Sequence, residues 1–111
     1  MKEFEKIFER RYDKLVRDKI PQIMEESGCE YEIEKVDDAT ALEYLYSKLI
    51  EELYELLRDK NIEEVIDVLE VVLTIGKSYG YDEETIMELR KLKLEEKGGF
   101  EENIILKKVY K

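Results

Sequence analysis

The clearest pattern in the chain is the spacing of apolar residues over residues 39–58. The leucines of this segment recur every three or four positions, which is the spacing of one face of an amphipathic helix. Asp37 and Asp38 directly precede the segment, and either side chain could cap the helix. The sequence therefore predicts a helix of several turns here. Its apolar positions are Leu42, Leu45, Leu49, Leu53, Leu56 and Leu57.

Two further helices are predicted after a short connection. The first begins at Asn61, with Glu64 three residues later in an arrangement similar to a capping box, and ends near Gly80. Asp82 is placed to cap the next helix, which extends to about Lys97, where two glycines follow and stop it. Because the connection before Asn61 is short, the first two of these three helices should pack antiparallel.

The remaining segments predict a short helix and two strands. Pro21 stands where a proline can open a helix, and that helix would stop at Gly28. Residues 29–36 alternate in the manner of a strand, and residues 103–110 are their natural partner because a lone strand leaves its backbone unsatisfied. The predicted fold class is mainly α, an antiparallel helical-hairpin bundle with a small two-stranded β element, forming one domain over residues 1–111.

Composition narrows the classes of function. Charged residues make up 43 % of the 111 residues and the formal net charge is −10, which argues against nucleic acid or an anionic membrane as a partner. The absence of histidine excludes a histidine zinc site or a histidine base. A single cysteine, Cys29, and an N-terminus without an apolar signal core lead us to expect a cytoplasmic protein. Residues 1–11 suit either a short helix or a loose arm.

Two pairs of acidic residues stand out on the consecutive helices. Glu52 and Glu55 are three positions apart, and so are Glu64 and Asp67, which puts each pair on one helix face. In an antiparallel hairpin, residues at one level have numbers with a constant sum. The numbering places Glu52 opposite Asp67 and Glu55 opposite Glu64, so four carboxylates should converge.

Such a cluster predicts a divalent-metal site. Neighbouring carboxylates raise one another's pKa unless a cation compensates them, and Mg²⁺ prefers carboxylates, waters and substrate phosphates as ligands. From residue 65 to 75 only Asp67, Glu70 and Thr74 are polar, which indicates a buried helix, and buried acids are costly unless paired or bound to metal. The alternative is that these glutamates form a solvated helix face, since the chain has 29 acidic residues.

Four motifs resemble those of a known superfamily. K-L-I-E-E-L-Y-E at residues 48–55, followed by E-E-V-I-D at residues 63–67, is similar to the E-E-x-x-E … E-x-x-D signature of the all-α nucleoside triphosphate pyrophosphatases, which include MazG, dimeric dUTPases and phosphoribosyl-ATP pyrophosphohydrolase. L-V-R-D-K-I-P at residues 15–21 and K-L-E-E-K-G-G-F at residues 93–100 resemble a small branch described as house-cleaning noncanonical NTP pyrophosphatases. The resemblance spans roughly residues 12–106.

The resemblance implies an enzyme that cleaves a nucleoside triphosphate, in this branch a noncanonical one, to a monophosphate and pyrophosphate. It implies Mg²⁺, or Mn²⁺ as a substitute, held by the four acids named above. Glu51 is the candidate to orient or deprotonate the attacking water, although it could equally be a salt-bridging surface residue. Glu70, one turn beyond Asp67, is an extra ligand or the partner of a basic residue.

Phosphate binding requires cations, and Arg17 is the best candidate because guanidinium binds phosphate in a bidentate manner and this residue lies in a recognisable motif. Four lysines are further candidates, although surface solubility is the commoner role of each. They are Lys14, Lys19, Lys48 and Lys93.

Two rival functions stay open. Phosphoribosyl-ATP pyrophosphohydrolase itself is disfavoured by the short hairpin, with eight residues between Glu55 and Glu64, and by the two terminal motifs. A non-catalytic helical module that binds nucleotides or other proteins belongs to a different class and would not need the acids for activity. In every case we expect a homodimer or higher homo-oligomer, because a chain of this length buries only a modest core.

Overall fold

A computed structural model describes residues 12–111 and shows a helical protein. Within these residues the chain forms α1 (Ile20–Glu26), α2 (Asp38–Asp59), α3 (Ile62–Ser78) and α4 (Glu83–Lys97). These bounds confirm the four helices predicted from the pattern, with α2 beginning and ending one residue beyond its predicted range. The expectation for residues 1–11 lies outside the described residues.

Side-chain caps fix where three of the helices begin. The Asp37 carboxylate accepts a hydrogen bond from the backbone N–H of Thr40 at 2.8 Å, so Asp37 rather than Asp38 caps α2. Asn61 accepts from the Glu64 N–H at 3.1 Å at the start of α3. Asp82 does the same for α4. Each cap satisfies one of the N–H groups that a helix leaves free at its first turn.

The α2–α3 hairpin holds the core of the described chain. Lys60 takes a left-handed conformation with φ 53°, which ends α2 and lets α3 return antiparallel after one further residue. Leu45 of α2 packs with Val71 and Ile75 of α3, and these three side chains are at most 9 % exposed. The partly buried residues packed against them are Leu15, Leu42 and Leu49.

Helix α4 touches the hairpin only near its first turns. A Cβ on Gly76 of α3 would lie 2.6 Å from the Cδ1 atom of Ile86, so the absence of a side chain at Gly76 allows this close approach. Beyond Ile86, every residue from 87 to 111 is exposed. We call residues 87–111 the C-terminal arm. It includes most of α4 and the extended residues that follow it.

The predicted two-stranded sheet is the main correction to the sequence-based fold. Residues 29–36 and 103–110 are not strands, and no strand occurs anywhere in residues 12–111. Alternation of apolar and polar residues permits a strand, but a strand also needs a second one beside it to bond with. The structure does not bring these two segments together. No helix in residues 12–111 is long and apolar enough to cross a membrane.

Candidate metal centre and adjoining groove

The hairpin brings three of the four predicted acids to one point. Glu52 of α2 and Glu64 and Asp67 of α3 each offer a carboxylate oxygen, and these oxygens lie within 4.8 Å of one another. The residue numbering predicted that Glu52 would lie opposite Asp67, and both residues belong to the same cluster. Glu55 is not one of these three, although its charge acts on both Glu52 and Glu64. We call Glu52, Glu64 and Asp67 the acidic triad.

Two oxygens of the acidic triad are shielded from solvent and have no hydrogen-bond partner. They are the Oε2 atoms of Glu52 and Glu64. Glu52 as a whole is only 6 % exposed, which is unusual for a glutamate on a small helical hairpin. A buried carboxylate oxygen without a donor is unfavourable unless a cation approaches it.

Burial raises the pKa of Glu52 above its ordinary value, and the neighbouring Glu55 adds to the rise, while the ammonium group of Lys48 offsets part of it. Burial also raises the pKa of Glu64, followed by the negative charges of Glu55 and Asp59. Both carboxyls therefore hold protons more tightly than an exposed glutamate does. A bound cation would reverse that preference, because it stabilises the ionised forms.

Cationic side chains surround the acidic triad. Lys48 lies one turn before Glu52 on α2, with its Nζ atom 3.3 Å from the Glu52 Oε1 atom and 3.5 Å from the Glu51 Oε1 atom. Arg17, from the segment before α1, donates to the Asp67 Oδ1 atom at 2.8 Å. The residue predicted to bind phosphate is thus directly beside a predicted metal ligand.

Glu51 forms ion pairs on the outer side of this cluster. Its Oε1 atom accepts from the Lys14 Nζ atom at 3.0 Å in addition to the contact with Lys48. Partial burial raises the pKa of Glu51, but the hydrogen bond from Lys14 and the charge of Lys48 outweigh it and leave the pKa below its ordinary value. The same hydrogen bond raises the pKa of Lys14. Glu51 therefore makes the ion pairs expected of a salt-bridging residue, which was the alternative to a role in positioning water.

A groove of about 550 Å³ opens beside the acidic triad. One wall comes from the segment before α1, and the other from α2 and α3. Its lining combines apolar and charged side chains, which suits a ligand with an apolar ring and an anionic group. The lining residues are Leu15, Val16, Arg17, Asp18, Lys19, Ala41, Leu45, Lys48, Glu52, Glu70, Val71 and Thr74.

The groove gathers several side chains that the sequence singled out. Arg17, Lys19 and Lys48, three of the candidate phosphate-binding cations, line it. Glu70 also lines it, and its backbone oxygen accepts a hydrogen bond from the Thr74 hydroxyl at 2.8 Å. Lys93 is an exposed residue of the C-terminal arm and does not line the groove.

The groove also contains one acidic and two apolar residues that the sequence did not single out as site residues. Asp18 lines the groove between Arg17 and Lys19, and its place in the same seven-residue motif was the available signal. Ala41 and Val71 were assigned to no site because apolar helix positions carry no mark of a ligand. Only the packing of α2 against α3 shows which apolar residues stay at the surface of a groove.

The acidic triad fits a hard divalent cation by its chemistry. It offers only oxygen ligands, which Mg²⁺ and Mn²⁺ prefer, and two oxygens of these carboxylates have no hydrogen-bond partner. Comparisons of the chain with protein-family models, with curated proteins and with solved structures find no match.

Proposed function

We propose that the protein is a Mg²⁺-dependent nucleoside triphosphate pyrophosphohydrolase of the all-α, MazG-like kind, acting on noncanonical nucleotides. The observation that carries the proposal is the convergence of unpartnered carboxylate oxygens beside a groove lined with cations. Acids and bases placed side by side in this way suit a ligand that brings both a metal ion and phosphates. The resemblance of the four motifs supports the same reaction.

In this proposal Glu52, Glu64 and Asp67 hold the metal. The charge of Glu55 raises the pKa of Glu52 and of Glu64. Mg²⁺ bound there would neutralise phosphate oxygens and lower the pKa of a water molecule. Arg17, Lys19 and Lys48 bind the phosphates from the groove side. Arg17 then exchanges its contact with Asp67 for one with the substrate, because phosphate offers it a bidentate partner.

Glu51 is proposed to orient the attacking water rather than to act as a strong base. Its lowered pKa makes it a weak proton acceptor, while its second oxygen can still accept a hydrogen bond from water. Hydrolysis adds that water across the bond between the α and β phosphates, so that one product keeps the nucleoside and the other is pyrophosphate. Glu70 and Lys14 are proposed to hold neighbouring charged groups in place. Lys93 has no contact that supports a role at the site.

The second candidate is a non-catalytic helical module, and the ion pairs favour it. Arg17 beside Asp67 and Lys48 beside Glu52 already offset part of the negative charge. If these pairs are structural, the groove could bind a nucleotide or another protein without any metal.

One experiment separates the two candidates. Purified protein is incubated with Mg²⁺ and a panel of standard, damaged and modified nucleoside triphosphates together with phosphoribosyl-ATP, and pyrophosphate release is measured. We expect release from at least one noncanonical nucleotide, and we expect Asp67→Asn to abolish it. Glu88→Gln, which removes a charge from an exposed position of the C-terminal arm, is the matched control and should keep full activity.

A thermal shift assay gives an independent readout. Mg²⁺ should raise the melting temperature of the wild-type protein because it binds only the folded state, and Asp67→Asn should not respond. No Mg²⁺ effect on melting, together with no pyrophosphate from any nucleotide, would refute the enzyme hypothesis. Release from phosphoribosyl-ATP alone would instead assign the runner-up activity.

Self-association is part of the proposal. Apolar side chains on the outer faces of α2 and α3 are exposed, including Ile50 at 58 %, Leu57 at 71 % and Leu69 at 50 %. A single chain leaves them in water, whereas a homodimer or higher oligomer could bury them through helix packing.

A further inference from the structure

Two extended segments of the described chain have unpaired backbones. No backbone–backbone hydrogen bond within residues 12–111 involves residues 30–36, and none involves residues 104–111. We call them the acidic segment (residues 30–36) and the tail (residues 104–111). Every residue of both is exposed. Each therefore presents N–H and C=O groups that are not bonded to the backbone of residues 12–111, over a length sufficient for a short strand.

The two segments carry opposite charge. The acidic segment contains three glutamates and one lysine, while the tail contains three lysines and no acidic side chain. Opposite charges that face each other across neighbouring strands stabilise the pair, and like charges destabilise it. The tail thus has the composition to bind the acidic segment and to repel another tail. The charged residues are Glu30, Glu32, Glu34 and Lys35 on one side and Lys107, Lys108 and Lys111 on the other.

Both segments also expose apolar side chains. Ile33 in the acidic segment is 57 % exposed, and Leu106 in the tail is 76 % exposed. Pairing would bury part of this surface while satisfying the backbone groups. The apolar residues concerned are Tyr31, Ile33 and Val36 together with Ile104, Ile105, Leu106, Val109 and Tyr110.

Two residues with positive φ lie between α4 and the tail. The chain leaves α4 at Gly98 with φ 80° and turns again at Asn103, which has φ 56° and donates to the Phe100 carbonyl. The tail that follows makes no backbone hydrogen bond with any described residue of its own chain. The acidic segment of a second copy has the same length and charge as that of its own chain and is an equivalent partner for this tail.

We propose that the tail of one copy pairs as a β-strand with the acidic segment of a second copy, and that the exchange is reciprocal. Two identical contacts related by a two-fold axis would close a dimer and leave no tail free. The added strand would supply backbone hydrogen bonds, and the lysines and glutamates would set the choice of partner. This pairing does not depend on the proposed catalytic function.

The test uses two full-length charge variants. One carries Glu32→Lys and Glu34→Lys, so that its acidic segment and its tail are both basic. The other carries Lys107→Glu and Lys108→Glu, so that both are acidic. Each variant alone should dimerise at least about tenfold more weakly than wild type, by sedimentation equilibrium, because like charges then face each other. An equimolar mixture should regain tight dimers with one chain of each kind by native mass spectrometry.

Hydrogen exchange identifies the segments involved. In wild type, the amides of residues 104–109 should be protected at concentrations where the dimer forms and should exchange freely when it dissociates. Each variant alone should lose this protection, and the mixture should recover it. A control carrying Arg90→Glu and Lys91→Glu changes the charge of the arm by the same amount outside the tail and should dimerise as wild type does.

Three results would overturn the proposal. Tail amides that exchange freely in the dimer would show that the tail is unpaired. Protection that persists in the monomer would mean that the tail pairs within its own chain. Charge variants that form no mixed dimers, while their separate helical content stays that of wild type, would show that the two segments do not recognise each other. Pyrophosphate release measured on the same variants would report separately on the active site.

Discussion

The α2–α3 hairpin and the C-terminal arm are built from similar residues but differ in what surrounds them. In the hairpin, Leu45 is 5 % exposed because α3 packs against it. In the arm, Leu92 also lies on a helix but is 60 % exposed. An apolar side chain contributes stability only when another surface removes it from water.

The same difference governs the acidic side chains. Glu52 in the hairpin is buried with an unpartnered oxygen, whereas Glu88 in the arm is solvated. Burial is what turns a common glutamate into a potential metal ligand, because the desolvated charge needs a cation. Contacts within the described chain organise the hairpin, whereas residues 87–111 stay exposed in the single chain.

The largest expected difference between the two regions is the loss of stability when a leucine is replaced by alanine. Leu45→Ala should lower the free energy of unfolding by about 2–4 kcal/mol, because it leaves a cavity between α2 and α3. Leu92→Ala should change it by less than about 0.5 kcal/mol, as expected of an exposed position. Urea denaturation of both variants at a concentration where the protein is monomeric makes the measurement. Equal losses would mean that the arm is packed as well as the hairpin.

A smaller difference is expected for the acids. Without divalent cations, Glu52→Gln should raise the free energy of unfolding by up to about 1 kcal/mol, since it removes a charge whose burial is unfavourable. With Mg²⁺ present the order should reverse, because only wild type gains from binding the ion. Glu88→Gln should be neutral in both conditions. Urea denaturation with and without Mg²⁺ checks this, and a variant that is destabilised in both conditions would contradict it.

The pH dependence of stability tests whether burial of the Glu52 charge is unfavourable. Burial raises its pKa in the folded protein, so the folded state holds the proton more tightly than the unfolded state does. Stability therefore falls as pH rises from the ordinary pKa through the raised one. Relative to Glu52→Gln, wild type should lose stability over that interval when no divalent cation is present.

The smallest effect is expected at the helix caps. The hydrogen bond from Thr40 lowers the pKa of Asp37, and the one from Thr85 lowers the pKa of Asp82. A lowered pKa stabilises the fold above the ordinary value, and that contribution disappears as pH falls through the folded pKa. Asp37→Asn should therefore flatten the acid side of the stability profile slightly. Asp82→Ala, which removes the side-chain cap, should leave global unfolding almost unchanged and increase hydrogen exchange only in the first turn of α4.

Local signals in the sequence located the helices because helix ends depend on nearby residues. Asp37, Asn61 and Asp82 each cap a helix within three residues of their own position, so no distant contact is needed to predict them. The predicted sheet failed for the opposite reason. A strand between residues 29–36 and 103–110 depends on two segments that are far apart in the chain, and alternation cannot show whether they meet.

The acidic triad could be predicted from the sequence only in part. Spacing along α2 and α3 placed Glu52 and Asp67 correctly, because a tight antiparallel hairpin leaves little freedom of register. Of Glu55 and Glu64, only Glu64 belongs to the cluster, and spacing alone does not decide the side-chain rotamers that determine this. The groove could not be predicted at all, since its walls come from three separate segments.

Local spacing and composition were enough to predict the helices, the caps of α3 and α4, the convergence of Glu52 with Asp67 and the absence of a histidine site. Only the tertiary structure decided that Glu52 is buried with an unpartnered oxygen, that Arg17 lies beside Asp67, and that the arm is left exposed. Those facts depend on which surfaces meet, and contact between distant segments is not written in the spacing of either one.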